Sequence, residues 1–302
     1  MSELQWIWFN GRFVKKSEAT TAVTTHALHY GTAVFEGIRA YDTPNGTAIL
    51  ALDAHINRLL YSMNALAMMT EYTHQALCQA VIDTVKKNQL KACYIRPLAF
   101  YGDTGSVRVL PAADHPVDIV IFCLPMGRYL AADCVDVMTS KYIRIHPDSS
   151  VCDAKISGHY VNSMLASMEC RGTHYHEALL LDARGNVAEG AAQNIFIVKN
   201  KVLITTPLGT ILAGVTRKLV MEIAEKNGIS VREQYFKPEA VIAADEAFFT
   251  GTAAEITPIR SLDDHKIAGH GNIGPVTEEI IKCFKEMTKG ADKSPYLTYL
   301  DV

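Results

Sequence analysis

The sequence predicts an α+β chain of two domains, and three observations carry that prediction. Strand-like segments of period two and helix-like segments of period 3.6 are mixed without a regular βαβ repeat. The 302 residues, 49% of them hydrophobic and 20% charged, suffice for two ordinary cores. A breaker run, Pro125-Met126-Gly127-Arg128-Tyr129, interrupts the apolar pattern near mid-chain. It predicts a smaller N-terminal domain at 1–126, a linker at 127–134 and a larger C-terminal domain at 135–302.

The first element is a hairpin. Trp6 to Phe9 and Arg12 to Val14 flank Asn10-Gly11, a pair suited to the positive φ angles of a primed turn. Gly37 to Tyr41, the breakers Asp42 to Gly46, and Thr47 to Leu52 repeat the strand-turn-strand pattern. Asp53 is expected to cap a helix in which Ile56, Leu59, Leu60 and Met63 form an apolar stripe bordered by Arg58. Thr73 to Asn88 reads as a second amphipathic helix. Ala92 to Phe100 and Val117 to Leu124 read as strands, with Tyr94, Arg96 and Leu98 on one face and Pro97 marking an edge or bulge. After the linker a strand begins near Val135. Val161, Met164, Leu165 and Met168 mark a helix ending at Gly172, and a meander of short strands fills 178–205. Thr216 to Asn227 is a helix stopped by Gly228, and Pro275 starts a last one along Val276, Ile280, Ile281, Phe284 and Met287.

Composition narrows the function. A net charge of -3 without a basic stripe argues against nucleic acid as a partner and leaves small molecules. Neither a secretory leader nor a membrane-crossing apolar run is expected. The seven cysteines are odd in number, scattered and without a CxxC pair, so neither a disulfide framework nor a zinc site is expected, and a reducing cytoplasm fits. The eleven histidines form no HExxH, and no metal is expected. Nucleotide fingerprints and G-x-S-x-G are missing.

Four local features could carry chemistry. Lys155 lies among small residues, Cys152 to Gly158, just before a helix; a desolvated amine there could act as a nucleophile, although a lone loop lysine is ordinarily solvated. Glu189, in Val187-Ala188-Glu189-Gly190-Ala191, could hold a pyridine nitrogen protonated or be an ordinary hairpin-edge carboxylate. Leu212 to Thr216 enters a helix whose first amides favour an anion, and Thr250 to Glu255 offers a Gly turn with the Thr252 hydroxyl and amide. Helix capping by Thr216 and a capping box from Thr252 to Glu255 explain the last two equally well.

Together these features suit an aldehyde cofactor bearing a phosphate. The chain resembles the branched-chain aminotransferases of the fold-type IV pyridoxal-phosphate enzymes. The likeness runs from Asn10-Gly11 to Gly274-Pro275, with His26-Ala-Leu-His-Tyr-Gly-Thr-Ala-Val-Phe-Glu-Gly-Ile-Arg39 the longest matching block. The resemblance implies two domains with the cofactor site at their interface. The cofactor is then pyridoxal 5'-phosphate, with Lys155 as Schiff-base lysine, Tyr160 at the ring O3′ and Glu189 at the pyridine nitrogen. Arg58, Val215, Thr216 and Thr252 would hold the phosphate. Tyr94 with the amides of Thr252 and Ala253 would receive the substrate α-carboxylate, and Phe35, Gly37 and Tyr160 would line the apolar pocket. Arg96, Tyr129 and Tyr30 of a neighbouring subunit would clamp the glutamate γ-carboxylate. The implied reaction is reversible transamination of leucine, isoleucine and valine with 2-oxoglutarate, by a homodimer at least. A hexamer built as a trimer of dimers, and biosynthetic against degradative direction, stay open.

Two positions depart from the family pattern: Met126 replaces a common tryptophan, and Arg108 brings a bulky cation to a loop of small or aliphatic residues, where it is expected to face solvent. Rivals on the same fold are a D-amino acid aminotransferase, an amine transaminase of opposite hand and an aminodeoxychorismate lyase. Phe35-Glu36-Gly37-Ile38-Arg39 and Tyr94-Ile95-Arg96-Pro97-Leu98 favour the branched-chain type. A non-catalytic ligand-binding protein, or a nucleotide-dependent enzyme using the Gly-rich turns for a different phosphate, is the rival from another class; intact Lys155 and Glu189 weigh against both.

Overall fold

A computed structural model describes residues 5–106, 108–125, 133–290 and 294–300. In chain order its elements begin with β1 (Trp6–Phe9), β2 (Arg12–Lys15), α1 (His26–Tyr30), β3 (Ala33–Phe35), β4 (Ile38–Thr43), β5 (Gly46–Leu50), α2 (Leu52–Ala65), α3 (His74–Lys87), β6 (Cys93–Tyr101) and β7 (Val117–Leu124). They continue with β8 (Val135–Ile143), α4 (Tyr160–Glu169), β9 (Glu177–Leu181), β10 (Val187–Gly190), β11 (Asn194–Lys199), β12 (Val202–Thr205), α5 (Val215–Lys226) and β13 (Val231–Glu233). The last are α6 (Pro238–Ile242), β14 (Glu246–Gly251), β15 (Glu255–Leu262), β16 (His265–Lys266), α7 (Pro275–Lys289) and β17 (Leu297–Tyr299). The described residues fall into two compact units, one within Met1–Gly127, Ala154–His159 and Met287–Val302, the other within Arg128–Asp153 and Tyr160–Glu286. Of the expected linker, residues 127–132 lie outside the described residues, as do Met126 and Tyr129.

The first unit is an antiparallel sheet in the order β17-β5-β4-β6-β7-β1-β2, with β3 added beside β6. Asn10 and Gly11 both have positive φ, 45° and 86°, as the primed turn requires. Helices α2 and α3 pack on this sheet: Ile56, Leu59, Met63, Leu77, Val81 and Val85 share a core with Ile38, Ile49, Ile95, Ile119 and Ile121. Each fully buried aliphatic side chain contributes about 2 kcal/mol. Thr73 caps α3 by accepting the Ala76 amide at 3.2 Å. Asp53 does not cap α2: the capping position is Ala51, in the left-handed region at φ 52°, and Asp53 lies inside the first turn. Pro97 is not at an edge, for β6 lies between β4 and β7. Its carbonyl accepts from Glu36 at the break between β3 and β4, so its missing N–H faces the one stretch where no ladder bond is required.

The second unit is a mixed sheet in the order β10-β9-β8-β15-β14-β11-β12-β13, with β16 beside β15. Parallel pairs join β8 to β9 and to β15, and β12 to β13. Helices α5 and α7 bury Val220, Ala224 and Ile280 against the stacked rings of Phe196 and Phe248. On α4 the expected apolar stripe is present but turned outward. Val161, Met164 and Met168 are 55%, 53% and 46% exposed, and Ala166 is the helix's one fully buried residue.

Candidate active site

In the first unit the segment carrying Lys155 is bound along its backbone. The Lys155 amide donates to Ser62 Oγ at 2.9 Å, its carbonyl accepts from the Phe35 amide at 3.1 Å, and Val34 forms a bridge with Ile156. Ala154 and Ile156 are buried on either side. Gly31 and Gly158 meet so closely that a Cβ on Gly31 would lie 2.8 Å from the Gly158 Cα, which accounts for glycine at both positions. Lys155 Nζ sits over the Phe35 ring, 4.8 Å from its centroid, and the Arg96 guanidinium also faces that ring, at 4.6 Å.

Strand β6 alternates as its sequence demands: Cys93, Ile95, Pro97 and Ala99 are buried, while Tyr94, Arg96 and Leu98 share the partly open face. An Arg96 terminal N–H donates to Tyr94 Oη at 3.0 Å. Only glycine is small enough at position 37 beside that hydroxyl, since a Cβ on Gly37 would come within 2.0 Å of it. Phe35, Gly37, Tyr94, Arg96 and Lys155 thus form one cluster. Tyr30, at the end of α1, is 39% exposed and packs on His26 instead. Arg108 is exposed, and its carbonyl and that of Val109 lie within reach of His26 Nε2 at 3.0 and 3.2 Å.

Behind this cluster is a charged group that sequence reasoning passed over. Between Phe35 and Gly37, Glu36 is fully buried and turns toward α2. Its carboxylate accepts from Arg58 Nε at 2.6 Å, from an Arg58 terminal N–H at 2.8 Å, and from His55 Nδ1 at 2.7 Å. Burial alone would raise the Glu36 pKa, but Arg58 and His55 outweigh it and hold the carboxyl well below the usual carboxylate range. Burial lowers the His55 pKa against the pull of Glu36, with the Arg58 and Lys155 charges adding to the fall. The imidazole is therefore neutral at neutral pH, its proton on Nδ1, where the carboxylate accepts it. The three-residue spacing of His55 and Arg58 on one helix face was the available signal.

In the second unit Glu189, on β10, is buried and held on both oxygens. Arg144 Nε donates to Oε1 at 2.6 Å; Asn194 Nδ2 and the Leu212 amide donate to Oε2 at 3.0 and 3.2 Å. Burial disfavours the Arg144 charge, yet Glu189 outweighs it and raises the guanidinium above its ordinary range, with Tyr160, at the start of α4, acting in the same direction. A solvated hairpin-edge glutamate is thus excluded. Neither Arg144 nor Asn194 has a local sequence signal, because both matter only through tertiary approach.

Asn194 also joins the two phosphate-binding candidates. Its side chain donates to the Leu212 carbonyl at 3.0 Å, ahead of Val215 and Thr216, and its backbone pairs with Thr250, ahead of Thr252 and Ala253. Gly214 is the capping residue of α5 and offers no side-chain cap, so the first amides of a twelve-residue helix face outward from a glycine. A Cβ on Gly214 would come within 1.9 Å of Asn194 Oδ1, so the approach tolerates only glycine. Thr216 is buried inside the first turn and caps nothing. The capping-box reading of Thr252 fails as well: Gly251 and Glu255 are paired strand residues, and Thr252 to Ala254 form the turn of a hairpin.

The fold agrees with what known proteins show. Residues 33–262 match the amino-transferase class IV family, and the chain belongs to that family. Within it, a branched-chain-amino-acid aminotransferase of Pseudomonas aeruginosa is 42% identical over 288 residues, covering 94% of this chain and 93% of the relative. The Escherichia coli K12 enzyme of the same name is 41% identical over 284 residues, covering 92% and 91%. The crystal structure of an Escherichia coli branched-chain amino acid aminotransferase superposes with a TM-score of 0.95 at 39% identity, covering 99% of this chain and 100% of the other. That of the T.th. branched-chain amino acid aminotransferase, complexed with N-(5'-phosphopyridoxyl)-L-glutamate, superposes with a TM-score of 0.95 at 38% identity over the whole of both chains.

Proposed function

We propose that this chain catalyses reversible transamination of branched-chain L-amino acids with 2-oxoglutarate, using pyridoxal 5'-phosphate and releasing branched-chain 2-oxo acids and L-glutamate. The observation that carries the reading is the Lys155 cluster, an amine held on an aromatic face beside Arg96, Tyr94 and a glycine-sized gap. The donor set fits the cofactor: an amine, a buried carboxylate with its own cation, a guanidinium, and a helix start that only glycine can cap.

When bound, the cofactor supplies an aldehyde for amines and a ring that takes up the electron pair left when the substrate α-proton departs. Lys155 Nζ would hold it and, with the substrate amine bound, would carry the α-proton as base and acid. Glu189, paired with Arg144, would face the ring nitrogen and favour a proton there, and Tyr160 would face the ring oxygen. Arg58, the amides of Val215 and Thr216, and Thr252 bind the phosphate. Tyr94 and the Thr252 and Ala253 amides take the α-carboxylate, while Phe35, Gly37 and Tyr160 keep water from aliphatic side chains. Arg96, with Tyr129 and the Tyr30 of a neighbouring subunit, receives the second carboxylate of glutamate.

The same reading includes the 1–126, 127–134 and 135–302 division and a homodimer as the smallest working form. The outward apolar stripe Val161, Met164 and Met168 supports subunit association, with the hexamer as its fuller form. All seven cysteines are free, which supports a cytoplasmic setting, and no described helix is long and apolar enough to cross a membrane.

The test is a donor panel with 2-oxoglutarate: L-leucine, L-isoleucine and L-valine should outpace D-alanine and aminodeoxychorismate. D-alanine as the dominant donor refutes the branched-chain assignment. Borohydride should fix the cofactor onto Lys155, and a protein that no added cofactor colours refutes the enzyme reading altogether. Light scattering reads the assembly, and a monomer at working concentration overturns that part.

A further inference from the structure

Asp53, which the sequence led us to expect as a helix cap, is 81% exposed and has turned toward α3. His74 and Cys78, four residues apart on α3, present their ligand atoms on the same helix face. Asp53 Oδ1 lies 3.7 Å from Cys78 Sγ and 3.8 Å from His74 Nε2, and that nitrogen lies 3.9 Å from the sulfur. The three atoms form a nearly equilateral triangle. In a tetrahedral zinc site with bonds of about 2.0–2.3 Å, neighbouring ligand atoms are roughly 3.3–3.6 Å apart. The triangle therefore has the shape of one tetrahedral face, opened by a few tenths of an ångström.

The chemistry of the donors is as specific as their geometry. One thiol, one imidazole and one carboxylate oxygen match a divalent ion of borderline softness, and they suit neither calcium nor magnesium, which take oxygen ligands. Among the described residues this is the one group of three or more such side chains whose ligand atoms converge. We propose that Asp53, His74 and Cys78 form a zinc-binding site, with water as fourth ligand, that pins the start of α2 to α3. On binding, the Cys78 S–H bond breaks, a zinc–sulfur bond forms and that proton passes to solvent, while the His74 ring proton moves from Nε2 to Nδ1 and Nε2 exchanges its 3.3 Å contact with the Asp53 carbonyl for the metal. The clip would hold the helix that carries His55 two residues and Arg58 five residues further on, and it reverses, for this face, the sequence expectation that no metal binds.

The experiment uses the holoenzyme, stripped with a chelator and dialysed against buffered zinc, with bound metal counted by mass spectrometry. One zinc per chain is expected, with affinity lower by about tenfold or more in Cys78→Ser and in His74→Gln, the scale on which lost metal contacts are felt. Cobalt in place of zinc should give the intense red-region bands of a tetrahedral site, clear of cofactor absorbance, and Cys78→Ser should alter them. Cys170→Ser and Cys283→Ser, outside the triangle, should leave both readouts unchanged. Asp53→Asn provides a third variant should either α3 substitution disturb folding. Absence of stoichiometric zinc, or zinc that binds equally well to all three triangle variants, overturns the proposal.

Discussion

Replacing Glu36 by glutamine keeps the shape of the side chain and removes its charge where Arg58 and His55 both depend on it. A carboxylate accepts at both oxygens, and here both are used, Oε1 by Arg58 Nε and Oε2 by an Arg58 terminal N–H and His55 Nδ1. A glutamine must place its NH2 at one of these positions. Turned either way, it sets donor against donor and leaves the Arg58 cation, 11% exposed, without its anion. Breaking a buried pair from one side costs about 3–5 kcal/mol, and the slight exposure of Arg58 favours the lower end, about 3 kcal/mol. At roughly 2–4 °C per kcal/mol for a domain of this size, the melting temperature should fall by about 6–12 °C. Calorimetry measures that fall, and titration of the cofactor-free protein measures a parallel loss of pyridoxal-phosphate affinity. The double variant Glu36→Met with Arg58→Met should recover most of the stability and none of the affinity, because it removes both charges together. A single variant within about 0.5 kcal/mol of wild type, with unchanged cofactor affinity, would falsify the idea that Glu36 positions Arg58.

His55 makes stability depend on pH in a definite direction. Its pKa in the fold lies below 6.5, so as pH falls past that value the unfolded chain takes up a proton that the fold refuses. Urea midpoints should therefore decline from pH 7 toward pH 5, with depressed Glu36 adding its own loss in stronger acid; a His55→Gln profile as steep as wild type contradicts this. Arg144→Met leaves buried Glu189 without its cation and should destabilise by about 3 kcal/mol or more in urea unfolding, and a neutral result would mean Glu189 is held by Asn194 and Leu212 alone. Gly214→Ala keeps an ordinary backbone angle, so any effect comes from its Cβ striking Asn194; cofactor affinity should drop about tenfold or more, and wild-type affinity counts against the proposed cradle. Gly37→Ala forces Tyr94 away from Arg96 and should raise KM for both amino donor and 2-oxoglutarate by about tenfold, whereas an effect on kcat alone would place Tyr94 elsewhere in the cycle.

Where structure is decided locally, the sequence already contained it. Asn10-Gly11 forms its primed turn, the helix expected at Thr73 to Asn88 forms as α3, and the alternation through Tyr94 and Arg96 faces the side that was read from it. These features need only neighbours along the chain. The failures share the opposite cause. Asp53 faces α3 rather than its own helix start, Pro97 sits inside a sheet because two other strands break beside it, and the α4 stripe points outward although its spacing is that of a buried face. At the candidate site, Lys155, Glu189 and the glycine turns were visible as motifs, while Glu36, His55, Arg144 and Asn194 were not assigned their roles. They act by tertiary contact, and no pattern in one sequence announces which buried charge will meet which.

Strand β17 closes one edge of the first sheet by pairing with β5, Leu297 against Leu50 and Tyr299 against Ala48. It is made after every residue of the second unit, as is the Lys155 segment after most of the first. During synthesis, then, the first sheet spends the whole of the second unit's translation with β5 unpaired along one edge. A ribosome that stalls or stops short of Leu297 would release a chain whose earliest-made sheet is still open to pairing with a neighbour. Nascent-chain aggregation should therefore be governed by whether β17 has emerged.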